Sequence, residues 1–241
     1  MQPGHFSIDV HVDGTQKARG LPGLFAPRRL WATWVDLLYP PRCAGCGKVD
    51  TWWCDTCQYK VEQIPPPRDI YAVPPLAGIV ATSTHTGLLR EAVQALKYEN
   101  ARMLAQRPLG ERLVRRLAAS DWTIDILVPV PLHTERLKSR GYNQAQLLGE
   151  YVAETTMLPI SPAALYRQRY TQSQVELGAQ ARLANVRDAF VADSAVVSGK
   201  TILLIDDVYT TGATLSACAA AALAVGARAV YGLTVTAARA I

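Results

Sequence analysis

The 241-residue chain is 49% apolar and carries a formal net charge of +5 at pH 7, with an isoelectric point near 9.0. The apolar share excludes a disordered chain, and no apolar run approaches the ~20 residues of a membrane-spanning helix. The basic balance is compatible with phosphate or nucleic-acid ligands, and equally with an ordinary solvated basic surface.

The first 25 residues are rich in glycine, proline and isolated charges, and they lack the apolar segment of a signal peptide. We therefore expect residues 1–25 to be a loose leader and the protein to be cytoplasmic. Cysteines stay reduced in that compartment, so paired cysteines favour metal binding over disulfides.

A short helix is predicted at 30–38, and four cysteines follow it as two C-x-x-C pairs with seven residues between the pairs: Cys43, Cys46, Cys54 and Cys57. Each pair can form a tight knuckle that directs both sulfurs toward one tetrahedral centre. Disulfides and a redox-active C-x-x-C are the alternatives. The spacing predicts a closed structural Zn²⁺ site in a module of residues 26–64.

Prolines mark a linker at 65–80, and an α/β domain is predicted over 81–241. Helical periodicity appears at 87–100 and again at 103–119, where Pro108 must bend or interrupt the helix.

A strand is predicted at 124–131, and a polar loop at 132–146 leads into a helix through Tyr151. Strands that alternate with helices indicate a mostly parallel sheet flanked by helices.

The stretch "ILLIDDVYTTGAT", residues 202–214, joins a buried strand that ends at Asp206 to a helix that ends near Gly226. Open α/β sheets bind ligands at such strand-to-helix loops. Backbone N–H groups and hydroxyls there would hold a phosphate, at Thr210, Thr211, Gly212, Ala213 and Thr214. Asp206 and Asp207 repel phosphate but suit ribose hydroxyls or a Mg²⁺ shell. The loop therefore suits a 5-phosphorylated ribose.

A Walker A loop is the competing interpretation, because "SGKT" occupies residues 198–201. It fails on spacing, since Ser194 stands where the first glycine belongs and a strand follows instead of a helix.

The diacid followed by T-T-G-A-T resembles the phosphoribosyl diphosphate signature of type I phosphoribosyltransferases. Further segments occur in the order seen in the ComF family: "LYPPRCAGCG", "ALKYEN", "LVPVPLHTERLKSRGYNQA", "RQRYTQSQVEL" and "ARLANVRDAF". That family is associated with DNA uptake in natural competence and joins a zinc-finger-like front end to a phosphoribosyltransferase-like domain. The resemblance covers roughly residues 30 to 239.

The resemblance implies a type I phosphoribosyltransferase-like sheet that binds 5-phosphoribosyl 1-diphosphate with Mg²⁺. Asp206 and Asp207 would be the catalytic carboxylates on the ribose 2- and 3-hydroxyls, and residues 210–214 would hold the 5-phosphate. The diphosphate would bind at a loop that contains Pro129, Val130 and Pro131. The cations Arg136, Lys138 and Arg140 would neutralise it. Lys97 is a further candidate upstream, and a mobile hood would supply Arg167, Arg169, Thr171 and Gln174.

Two functions remain open at this point. One is phosphoribosyl transfer to an unknown acceptor, and the other is a non-catalytic ligand sensor or a cytoplasmic adaptor for single-stranded DNA in the competence machinery. A strand of DNA would contact arginines and stack on aromatics, and the candidates are Arg28, Arg29, Arg42, Arg107, Arg112, Arg115, Arg116, Trp52 and Trp53. The two tryptophans can instead form the small core beside the cysteines.

Overall fold

A computed structural model describes residues 40–67, 74–167 and 189–238. The predicted leader, the predicted helix at 30–38 and most of the predicted hood lie outside the described residues.

Four parallel strands form the central sheet, in the spatial order β1-β6-β5-β2. They are β1 (Gly78–Thr84), β2 (Ile126–Pro129), β5 (Thr201–Tyr209) and β6 (Ala229–Ala237). Two short strands, β3 (Leu165–Arg167) and β4 (Phe190–Ala192), pair antiparallel in a separate sheet.

The described helices are α1 (Asp55–Glu62), α2 (Gly87–Tyr98), α3 (Leu109–Ala118), α4 (Thr134–Arg140), α5 (Gln144–Thr156), α6 (Ser194–Val197) and α7 (Ala213–Ala224), with a 3₁₀ turn at Arg102–Ala105. Pro108 separates the 3₁₀ turn from α3, so the predicted interruption is confirmed. Gly226 follows α7 with a φ of +95°, as the predicted end of that helix requires.

The prediction of a polar loop over 132–146 is wrong in part, because α4 lies within it. The His133 ring accepts a hydrogen bond from the Glu135 N–H at the start of α4, and Gly141 ends the helix with a φ of +79°. These two caps stabilise a seven-residue helix that buries none of its side chains.

Each face of the sheet packs against its own apolar cluster, because alternate residues of a strand point to opposite sides. Ile202 and Leu204 of β5 belong to the cluster that contains the buried side of α7. Leu203 and Ile205 belong to the cluster built with α2, α3 and α5. A parallel sheet with helices on both faces confirms the predicted fold class.

The cysteine-bearing segment packs directly on this domain. Val61 of α1 is part of the same apolar cluster as α2 and α3, and residues from Pro40 onward form one unit. Strand β1 begins at Gly78, inside the range predicted as linker. Within the described ranges, no helix has both the length and the apolar character needed to cross a membrane.

Arg112 of α3 joins the segment to the sheet and is only 7% exposed. Its guanidinium donates to the carbonyl oxygens of Val61 at 2.8 Å, Ile64 at 3.0 Å and Thr82 at 2.8 Å. One buried side chain therefore links the end of α1 and the residues after it to β1, although the Val61 carbonyl also accepts the Ile64 N–H at 3.0 Å.

We predict that Arg112→Met lowers the free energy of unfolding by on the order of 3 kcal/mol, because buried carbonyls lose their donors while the aliphatic volume is kept. Urea unfolding measures this. Arg90→Met is the matched control: Arg90 is exposed and pairs only with its neighbour Glu91, so its replacement should cost about 0.5 kcal/mol or less. Equal effects of the two substitutions would contradict the structural role of Arg112.

Candidate functional site

The two adjacent carboxylates lie on strand β5 and not in the loop beyond it, where the sequence placed them. The strand stays paired with β6 through Asp206 opposite Thr234 and Tyr209 opposite Ala237. Because pairing continues beyond Asp206, both aspartates have regular β-strand backbone. Their side chains therefore point to opposite faces of the sheet at its carboxyl edge.

Asp207 faces α2, where Lys97 Nζ lies 2.9 Å from its Oδ1 atom. The Asp207 side chain is 5% exposed and the Lys97 side chain 19% exposed, so this ion pair is largely shielded from water. The Asp207 Oδ2 atom is also buried, and it has no hydrogen-bond partner among the described residues. One buried acceptor of this carboxylate is thus left without a hydrogen bond among the described residues.

Asp206 lies on the face covered by α7. Its Oδ1 accepts the Asp207 N–H at 2.9 Å, and no described cation forms an ion pair with it. Burial, followed by the charge of Asp207, raises the pKa of Asp206 to about 7, while Lys97 acts in the opposite direction. The same carboxylate adds to burial in raising the pKa of the Cys218 thiol in α7. The ionised form of the Asp206 carboxyl is therefore poorly solvated, and a hydroxyl donor or a cation would stabilise it.

The turn between β5 and α7 presents unused backbone donors. The N–H groups of Thr210, Thr211 and Gly212 form no hydrogen bond with any described residue. Gly212 has a φ of +77°, and a Cβ atom there would lie 2.8 Å from the ring of Tyr209. Glycine is therefore required, and the donors stand at the amino end of a 12-residue helix, where anions bind.

A cavity of about 560 Å³ opens beside Lys97. Its lining also includes the predicted cations Arg136 and Arg140, which α4 carries on its exposed surface. Arg140 donates to the Gln144 side chain and stacks over the Tyr98 ring at 5.4 Å. The structure thus brings three cations from two distant segments into one pocket, and Lys97 connects that pocket to Asp207.

The other predicted residues are placed differently. Lys138 is exposed on α4 and does not line this cavity, whereas the segment from Pro129 to Pro131 continues from the end of β2 beside β5. Arg167 stacks over Phe190 at 5.3 Å, and burial, followed by the charge of Arg136, lowers its pKa. Arg169, Thr171 and Gln174 lie outside the described residues.

Sequence reasoning missed three residues near the site. His85 follows β1, and its Nδ1 lies 2.8 Å from the hydroxyl of Thr236. Burial, followed by the charge of Lys97, lowers the pKa of His85. Tyr98 lines the cavity and is 72% exposed. Arg102 stacks over Tyr142 at 4.5 Å. A lone side chain at a strand or helix end gives no periodic signal, so only the fold reveals these positions.

The four paired cysteines converge. The sulfur atoms of Cys43, Cys46, Cys54 and Cys57 all lie within 4.8 Å of one another, and Cys46 Sγ is 3.6 Å from Cys54 Sγ. Burial raises the pKa of Cys57, whereas backbone N–H groups outweigh burial at Cys43 and lower its pKa to about 7. Four free thiols in this arrangement can hold a metal ion such as zinc.

The predicted DNA surface is partly wrong. Arg112 is buried and committed to backbone carbonyls, and Arg107 donates to Asp55 at 3.2 Å. Trp52 and Trp53 are half-buried against the apolar cores, and Trp53 Nε1 donates to Gln58 at 3.0 Å. Packing and hydrogen bonding thus occupy Arg112 and the two tryptophans, whereas the Arg107 side chain is 50% exposed. Arg28 and Arg29 lie outside the described residues.

Known proteins share much of this chain. No family model matches it. The DNA utilization protein YhgH of Salmonella typhimurium is 33% identical over 180 residues, which are 72% of this chain and 79% of that protein. Competence protein F of Haemophilus influenzae is 27% identical over 73% of this chain and 76% of its own length. Competence protein ComFC of Bacillus subtilis is 36% identical over 90 residues, 37% of this chain and 35% of that protein.

Solved structures overlap with the chain only in part. The allosteric regulatory enzyme of purine biosynthesis has a TM-score of 0.36 and 25% identity, and the match covers 54% of this chain and 25% of that one. Adenine phosphoribosyltransferase from Leishmania donovani has a TM-score of 0.37 and 14% identity over 61% of this chain and 70% of that one.

The family assignment rests on the sequence relatives. The YhgH protein of Salmonella typhimurium is matched over most of both chains, and the resemblance seen in the sequence motifs points the same way. The chain belongs to the ComF family.

Proposed function

We propose that this chain binds 5-phosphoribosyl 1-diphosphate at the carboxyl edge of its central sheet and acts in DNA uptake. The observation that carries the first part is the separation of opposite charges across one site. Asp206 and Asp207 stand near the end of β5, and Lys97, the ion-pair partner of Asp207, lines a cavity together with Arg136 and Arg140. The second part is supported by relatives whose names refer to DNA utilization and competence.

Each part of the ligand meets a complementary group in this proposal. The unused N–H groups of residues 210–212 hold the 5-phosphate, helped by the hydroxyls of Thr210, Thr211 and Thr214. Asp206 accepts ribose hydroxyls, and the buried, unpaired Oδ2 of Asp207 adds a second acceptor once ligand binding exposes it. The cations of the cavity neutralise the diphosphate, and a Mg²⁺ ion that accompanies it would be held by carboxylate and phosphate oxygens.

The same arrangement suits phosphoribosyl transfer. When an acceptor attacks ribose C1 and the diphosphate leaves, positive charge develops on the sugar and negative charge on the leaving group. Carboxylates near the ribose and cations near the diphosphate stabilise that charge separation, and no covalent protein nucleophile is needed. A ligand sensor would use the same binding site without turnover, whereas a single-stranded DNA adaptor would use a separate basic surface. Product analysis against a panel of nucleobases distinguishes these alternatives from transfer.

We further propose that the cysteine cluster holds one structural Zn²⁺ ion. Tetrahedral zinc with bonds of about 2.3 Å places its sulfur ligands about 3.8 Å apart. The 3.6 Å between Cys46 and Cys54 is close to that spacing. Four thiolates leave no open position on the metal, which suits a role in folding the segment.

We expect Asp206→Asn with Asp207→Asn to lower affinity for 5-phosphoribosyl 1-diphosphate at least about a hundredfold. Each lost charge-assisted hydrogen bond costs on the order of 1.5–3 kcal/mol. Isothermal titration calorimetry measures the change, with the exposed Asp121→Asn as the matched control. Unchanged affinity in the double variant would refute the proposed site.

Affinity for the same ligand should also rise with pH between about 6 and 8. The raised pKa of Asp206, about 7, leaves much of this carboxyl protonated at pH 6, and the ionised form is the better acceptor. The gain is at most about tenfold per pH unit below the pKa and levels off above it. Asp206→Asn should remove this part of the pH dependence. An identical pH profile in the variant would show that Asp206 does not titrate in binding.

For the cysteine cluster, we predict one zinc ion per chain by elemental analysis of protein purified without chelators. Cys46→Ser should lose the metal and speed hydrogen exchange in residues 40–64, because ligation supplies folding energy to a small segment. The control Cys218→Ala changes the fifth cysteine, which lies in α7, and should keep the metal. Protein that contains no metal, or Cys46→Ser that keeps it, would refute this assignment.

A further inference from the structure

A second cavity, of about 190 Å³, lies where the end of α1 meets α3 and β1. Three arginines of α3 line it, Arg112, Arg115 and Arg116, together with Glu62. We call it the arginine pocket. It does not share a lining residue with the cavity beside Lys97, and it plays no part in the function proposed above.

The arginine pocket has an excess of positive charge. Three guanidinium groups face one carboxylate, and Glu62 forms no ion pair with any described arginine but accepts a hydrogen bond from Gln58 at 2.8 Å. Burial, followed by the charge of Arg115, lowers the pKa of Arg112, whereas Glu62 acts in the opposite direction. An anion in the pocket would relieve this repulsion.

The donors in the pocket are unequally used. Arg112 is held by the carbonyls of Val61, Ile64 and Thr82, so it supplies a fixed charge. Arg116 Nε is buried and has no acceptor among the described residues, and Arg115 makes only a 3.4 Å contact from Nε to the Glu111 carbonyl. A buried N–H without an acceptor is costly, so it is expected to find one when a ligand binds.

The size and walls of the pocket define the ligand class. At about 190 Å³ it is smaller than the roughly 300 Å³ at which pockets for whole small molecules begin, and it suits a single oxyanion group. Guanidinium groups bind phosphate oxygens in bidentate pairs, and Ile64 and Pro66 add apolar surface to the lining. We propose that the arginine pocket binds a phosphate group, either a free phosphate anion or a phosphate of a DNA strand.

The test follows the Nε–H signal of Arg116 by NMR in the full chain, labelled with ¹⁵N-arginine, as inorganic phosphate is added at constant ionic strength. A saturable shift is expected because that N–H gains an acceptor. Arg115→Gln should weaken the apparent affinity for phosphate about tenfold or more, and it leaves the Arg116 Nε–H signal in place. Arg90→Gln is the control, because Arg90 is exposed and paired with Glu91, and it should change the affinity less than about twofold. Arg136→Gln with Arg140→Gln should leave the Arg116 response unchanged, which separates this site from the first cavity.

Two further titrations identify the source of the phosphate. If an oligothymidylate without a terminal phosphate shifts the Arg116 signal, the pocket binds backbone phosphodiesters. If only inorganic phosphate does so, the ligand is a small anion. The absence of a saturable shift up to about 10 mM phosphate, or a response that Arg115→Gln does not weaken, would overturn the proposal. Neither result bears on ligand binding at Asp206 and Asp207.

Discussion

Parallel pairing of β5 with its neighbours is the constraint on which the proposed site depends. Strand β5 is flanked by β2 and β6, so the carboxyl ends of the strands meet at the same edge of the sheet. The pairing continues to Tyr209 opposite Ala237, which keeps Asp206 and Asp207 on regular backbone. The turn that follows, before the helix that begins at Ala213, carries the unpaired N–H groups of residues 210–212.

Because the two aspartates occupy consecutive strand positions, they have different surroundings. Asp207 is neutralised by Lys97 across the face that α2 covers. Asp206 has no such partner among the described residues, and its raised pKa reflects burial next to a like charge. The sequence shows a symmetric pair of carboxylates. The structure shows one that is paired with a lysine and one that has no cation partner among the described residues.

The cysteine segment and the α/β domain form one structure through Arg112 and the apolar cluster around Val61. A buried guanidinium with three carbonyl acceptors ties α1, α3 and β1 together. This arrangement changes the interpretation of the arginines of α3. Arg112 is a structural residue, whereas Arg115 and Arg116 retain donors that can act on a ligand.

The sequence alone determined the features that depend on local spacing. Two C-x-x-C pairs define the cysteine cluster, Pro108 and Gly226 mark helix boundaries, and alternating strands and helices indicate the α/β class. Gly212 was recognised from its place in the T-T-G-A-T motif, and its φ of +77° shows why glycine stands there. These signals are readable because each arises within a few neighbouring residues.

Tertiary structure alone decided what depends on contacts between distant segments. The end of β5 could not be read from the sequence because pairing with β6 extends the strand past two carboxylates that resemble the start of a loop. The short helix α4 was missed because its caps outweigh its polar composition. Lys97 pairs with Asp207, and Arg112 is buried among carbonyls from two other segments. Both contacts arise from packing between residues far apart in the chain, which no local pattern encodes.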